Sequence, residues 1–276
     1  MEKQVRYCTP FSSDIVAYLK TNGIPFFDTG EGKQHWIIYT ISDKDTLFMQ
    51  HCSFLQSLDH VSVIQSVKYS EKEITSAAWL TCEAVTAKVH LEREEETFAV
   101  TETYDRGKAY HRNLTGRPFY TSKPVRHSPL QNFFYSYQLT PSHLFCTEYA
   151  KKALQSLHPP IKFEEVLHSK TERPIADLFY VDIQQELPPD AVNVDSAREG
   201  YRCPRCGKIT YCPPLLPLQI CRECLPDNTA VCKTAEIFSL GGNITFSVNL
   251  VSQRFYQAIK ANNLCRGLRF APVELL

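Results

Sequence analysis

The chain has 276 residues, enough for one large domain or two ordinary ones. Hydrophobic residues make up 43% and charged residues 22%, which excludes global disorder, and 30 Lys+Arg balance 30 Asp+Glu, which argues against a dedicated nucleic-acid or membrane-surface binder. No apolar run approaches the roughly 18 residues of a membrane span, the opening MEKQVRYCTPFSSD lacks the apolar core of a signal peptide, and ten glycines leave little material for phosphate-cradling loops.

Residues 1–60 read as an opening α/β unit. Ser12, Ser13 and Asp14 precede a helical stripe of Ile15, Val16, Tyr18 and Leu19, with Gly23 as the stop. Trp36 to Ile41 reads as a buried strand. Ser70-Glu71-Lys72-Glu73 has capping-box spacing and predicts a helix carrying Ile74, Ala77, Ala78 and Leu80 on its faces. AKVHL and TFAVTETY, joined by the charged REEE, predict an antiparallel pair within 87–104. Residues 106–130 read as a loop-rich excursion.

Phe133 to Tyr137 reads as a strand. Thr147 is the expected N-cap of a helix whose face is Tyr149, Ala150, Ala153, Leu154 and Leu157. Pro159 and Pro160 end it, and Ile161, Phe163 and Val166 begin a new strand. The last forty residues echo this order: ITFSVN as a strand, Ser252 as N-cap, then Phe255, Ala258 and Ile259 as the helix face. Asn262 and Asn263 stop that helix, and Leu268, Phe270 and Val273 form a terminal strand. The expected architecture is α+β: two related α/β halves, 1–170 and 171–276, with mixed or antiparallel sheets and an inserted zinc ribbon at about 200–233. Each half is expected to end in strand–helix–strand. The polar segment 186–202 is read as the link from LFYVDI to that ribbon.

Eleven cysteines, an odd count without a secretion signal, argue against a disulfide framework and for reduced thiols in a cytoplasmic protein. Cys203, Cys206, Cys221 and Cys224 form C-x2-C-x14-C-x2-C. Two cysteines three apart grip one ion from a single tight turn, and two such turns supply four thiolates for tetrahedral zinc. With every position filled by sulfur no water site is left, so the one zinc ion is expected to be structural. Gly207 suits the turn after the second ligand. Cys212 and Cys232 lie close enough in sequence to stand in for an assigned ligand. Leu215, Leu216 and Leu218, between the pairs, either dock the ribbon or face a partner.

The sequence holds no H-E-x-x-H, G-x-S-x-G, P-loop or G-x-G-x-x-G, and no enzymatic activity or catalytic residue is expected. The most site-like stretch is basic and aromatic: Tyr110, His111, Arg112, Asn113, Arg117, Tyr120, Lys123, Arg126 and His127. Such a stretch can bind an anion or nucleic acid, but a solvated loop packed by its aromatics is the more economical reading.

The pairing of CPRCG with CREC resembles the double-CxxCG-motif proteins, immunity proteins of bacterial polymorphic toxin systems. The end of the chain is similar to that family's C-terminus through Ser252, Phe255, Gly267, Phe270, Pro272 and Val273. The likeness covers about 170–276, with a fainter echo at 142–167, and Leu225 stands where the second motif has glycine. The resemblance implies a bacterial cytoplasmic protein that binds and neutralises a cognate toxin. The expected mechanism is occlusion of the toxin's active surface; no membrane partner is expected, and nucleic acid is the less favoured partner. A zinc-ribbon nucleic-acid-binding or regulatory protein is the alternative; a basic face joining Arg202, Arg205, Lys208 and the 112–126 loop would favour it.

Overall fold

In the computed structural model the described residues are 4–30, 35–42, 44–58, 64–100, 112–128, 130–157, 159–194, 199–202, 209–211, 217–227, 229–239 and 245–276. The chain folds as two units, Met1–Glu71 and Lys72–Leu276.

The first unit runs β1 (Gln4–Pro10), α1 (Ser13–Thr21), β2 (Phe26–Asp28), β3 (Trp36–Ser42), α2 (Phe48–Ser57) and β4 (Ile64–Lys68). Its sheet order is β2-β3-β1-β4, with every neighbouring pair antiparallel. Each helix therefore joins two parallel strands that flank a third, antiparallel one. This split β-α-β, used twice, is the ferredoxin-like arrangement. Alternation along β1 and β3 buries Val5, Tyr7, Ile37, Tyr39 and Ile41 against Ile15 and Leu19 of α1. Tyr7 and Tyr39 face each other in register and stack at 5.0 Å. Gly23, at φ 65°, closes α1 where the sequence places its stop.

The second unit opens with α3 (Glu71–Ser76), whose first residue ends the first unit. It continues through β5 (Trp79–Ala84), β6 (Ala87–Val89), α4 (Glu94–Thr97), β7 (Phe98–Val100), β8 (Arg112–Leu114), β9 (Tyr120–Thr121) and β10 (Phe133–Ser136). Then come β11 (Phe145–Cys146), α5 (Glu148–Gln155), β12 (Ile161–His168), β13 (Pro174–Ile183), β14 (Glu199–Arg202), β15 (Ile209–Tyr211) and β16 (Gln219–Ile220). A 3-10 turn at Arg222–Cys224 leads to β17 (Val231–Lys233), β18 (Ile237–Ser239), β19 (Thr245–Phe246), β20 (Asn249–Ser252), α6 (Gln253–Ala261), β21 (Leu268–Pro272) and β22 (Glu274–Leu275). The main sheets are β6-β10-β11-β13-β12-β9, β17-β20-β5-β21 and β14-β15-β18-β19. The protein is thus α+β with mostly antiparallel and mixed sheets. None of the described helices is long and apolar enough to cross a membrane.

The two helices expected from their caps share one topology. β11 and β12 flank β13, and β20 and β21 flank β5, each pairing antiparallel to the strand between them. In both, the cap hydroxyl accepts from the backbone three residues on: Thr147 from Ala150 N–H and Ser252 from Phe255 N–H, each at 3.3 Å. The split β-α-β recurs, but it does not divide the chain at 170/171. That boundary falls on the β12–β13 hairpin, and β5, from early in the chain, sits between β20 and β21.

Other segments depart from the sequence reading. The capping box opens α3, but the helix stops at Ser76, and Leu80 lies in β5, hydrogen-bonded on both sides. Sheet pairing on two edges outweighs a marginal six-residue helix. The REEE segment is not a hairpin joint: Glu94–Thr97 is a helical turn with three acids at its positive end, β6 pairs in parallel with β10, and β7 pairs with β8. ITFSVN divides into β19 and β20. Residues 186–202 join β13 to the cysteine region, yet Leu187, Ala191 and Val192 are core residues.

The sheet β17-β20-β5-β21 is buried on both faces. Val231, Val251, Leu80 and Phe270 point into a core with α5 and α6. The alternate residues Cys232, Leu250 and Trp79 point into a second core with Leu187, Val192, Ile220 and Phe238. This second core carries the cysteine region.

Candidate metal centre

Cys221 and Cys224 bracket the 3-10 turn that follows β16. Four backbone hydrogen bonds fix that turn. Cys221 N–H donates to Ala191 O at 2.9 Å, Arg222 N–H to Leu276 O at 3.3 Å, Cys224 N–H to Cys221 O at 3.1 Å and Leu225 N–H to Arg222 O at 3.1 Å. β16 itself pairs in parallel with β22. The Cys221 thiol donates to Glu223 Oε2 at 3.1 Å, which holds the Glu223 carboxyl below its ordinary value. Its neighbour on the turn, Cys221, raises the Cys224 thiol above its ordinary value.

Cys203, Cys206, Cys212, Leu215 and Leu216 lie outside the described residues. The strands that flank the first pair do not: β14 and β15 are antiparallel, with Arg202 opposite Ile209 across the ends of 203–208. β15 pairs onward with β18, and Tyr211 packs on the same apolar core as Cys224, Leu225 and Phe238. The strands on either side of 203–208 and the turn at Cys221–Cys224 therefore meet one core. Among the described residues no group of three or more His, Cys, Asp or Glu side chains is placed to hold a metal ion, and two of the four assigned cysteines lie beyond them.

The donors present suit zinc. Two free thiols sit on one tight turn near the buried acid of Glu236, whose carboxyl is pushed up by burial. Glu236 Oε2 is buried with no hydrogen-bond partner among the described residues. With Cys203 and Cys206 the set would be four sulfurs, and the ion's contribution would be structural. Cys232 is a different kind of thiol. It is fully buried in β17, and desolvation pushes it up to about 12, as for a small core hydrophobe. Leu218 is a core residue, in one cluster with Ile220 and Phe238.

The basic stretch is dispersed. Tyr110 and His111 lie outside the described residues. Arg112 and Asn113 belong to β8. Arg117 pairs with Glu96 at 3.4 Å. Tyr120 is buried beneath the Arg93 guanidinium at 4.8 Å. His127 Nε2 is 2.9 Å from Asp177 Oδ2, and Asp177 Oδ1 accepts from Glu148 N–H at the start of α5. Lys123 and Arg126 line a cleft together with Lys88 and His90, which sequence reasoning missed. Their signal is spatial: thirty-odd residues separate the two pairs in the chain.

Compared with protein-family models, with curated proteins and with solved structures, the chain matches none.

Proposed function

We propose that the protein is a zinc-stapled, immunity-type binding protein of the bacterial cytoplasm, which neutralises a cognate toxin by covering its active surface and performs no chemistry itself. The observation that carries this reading is the placement of the residues behind the resemblance. Ser252 caps α6, Phe255 and Phe270 are buried together, Gly267 turns the chain at φ 96°, and Val273 N–H donates to Trp79 O at 3.0 Å. They form one folded module around β5. Zinc at Cys203, Cys206, Cys221 and Cys224 would tie β14 and β15 to the turn after β16 and give the module a rigid neighbour.

Exposed aromatic surface supplies candidate contacts, with Tyr137 65% and Tyr149 57% exposed. Co-expression with the product of an adjacent toxin gene tests the reading: cells survive and the two proteins co-purify. Arg117→Glu is expected to weaken that complex while leaving stability within about 1 kcal/mol, because its ion pair with Glu96 is exposed. A chain that ignores the toxin and binds DNA or RNA with steep salt dependence would instead be the nucleic-acid-binding alternative.

A further inference from the structure

We infer that the cleft between β6, the loop after β9 and the residue following β10 is a binding site for the phosphate group of a small phosphomonoester. The cleft is about 640 Å³ and is lined by Lys88, His90, Thr121, Lys123, Arg126 and Tyr137, among others, with no carboxylate in its lining among the described residues. That volume falls within the roughly 300–1,000 Å³ of small-molecule sites.

The cationic lining is built rather than scattered. Lys88 Nζ donates to Arg126 O at 2.9 Å, which ties the loop to β6. Thr121 Oγ1 lies 3.4 Å from both the Lys123 N–H and the Lys123 carbonyl, which fixes the turn that presents this lysine. Among the described residues, Lys88, Lys123 and Arg126 form no ion pair with a carboxylate. Three cations line one concavity, and ammonium and guanidinium groups suit phosphate oxygens.

His90 adds a neutral donor whose tautomer is set by its neighbour. Gln138 Oε1 accepts from Leu91 N–H at 3.1 Å and from the Ser136 hydroxyl at 2.8 Å. The amide nitrogen Nε2 therefore faces the other way, donating to Leu91 O at 2.9 Å and to His90 Nδ1 at 3.0 Å. With Nδ1 accepting, the imidazole proton sits on Nε2, free to donate to an oxyanion. Tyr137, mostly exposed at the same cleft, offers a ring face to the remainder of the ligand. This inference stands apart from the toxin-binding reading and survives its failure.

Titration calorimetry of the full chain tests it with four probes: ribose 5-phosphate, adenosine 5′-monophosphate, inorganic phosphate and adenosine. The expected result is one saturable site for both phosphate esters and none for adenosine. Lys123→Gln combined with Arg126→Gln weakens both by about tenfold or more. Arg117→Gln, outside the cleft, leaves them unchanged. Tighter binding of the nucleotide, lost in Tyr137→Ala, assigns a nucleotide; equal binding of the two assigns a sugar phosphate. All the substituted side chains are exposed, and circular dichroism melting confirms that each variant is folded. The inference is overturned by the absence of saturable binding for either ester, by equal binding in the double variant, or by binding confined to oligonucleotides.

Discussion

Single residues carry several of the strongest constraints in this chain. Gly267 turns the chain after α6 at φ 96°, and a Cβ there would meet Phe133 O at 3.0 Å. Gly267→Ala is therefore expected to destabilise the chain by about 2 kcal/mol, read from its urea midpoint. Ser252→Ala removes a cap and costs about 1 kcal/mol in the same assay. In the first unit His51 is fully buried among Tyr7, Tyr18 and Tyr39, with its Nε2 3.2 Å from the Tyr39 hydroxyl. Desolvation pushes its imidazole down to about 4. A depressed histidine contributes stability that is whole above its unfolded value near 6.5 and is lost as pH falls toward 4, by about 3 kcal/mol at most. Histidine NMR should find His51 neutral down to about pH 4; titration near 6.5 would contradict the burial.

At the scale of elements, what the sequence makes legible is what local chemistry decides. α5 and α6 have side-chain caps, apolar stripes and stops within ten residues, and α1 has the stripe and the stop although Ser12 makes no side-chain cap bond, so their signals survive without tertiary knowledge. Strands such as β9, β15 and β16 are two or three residues long, and their existence depends on partners distant in the chain. The same contrast separates the two sites. The cysteine spacing is written in the sequence, whereas the cleft exists because β6 pairs with β10 and Lys88 reaches Arg126. Split β-α-β units explain how a repeat can be visible in the sequence while the halves it suggests are not folding units. The central strand of the last unit comes from elsewhere in the chain, since β5 sits between β20 and β21, and the central strand of the other, β13, lies beyond 171 while its flanking strands lie before it. Replacing Cys221 with Ser is expected to raise hydrogen exchange across 199–239 while residues 5–57 exchange as before. Loss of protection in 5–57 would show that the cysteine region supports far more than its own core.

For the whole molecule, the sheet β17-β20-β5-β21 separates two cores, and the second of them carries both flanks of the cysteine pairs. A core made from β15, β16, β18 and the loop at 187–194 has short strands and few residues per element. A closed metal site would add its binding free energy to the folding of such a core. The binding role proposed for the molecule needs that region rigid, so the metal is the point on which the account turns. X-ray absorption at the zinc edge, on protein purified without chelator, tests it directly. The account predicts about one zinc per chain with four sulfur neighbours near 2.3 Å. Metal-free protein that keeps its fold, or zinc held mainly by nitrogen and oxygen, would contradict it.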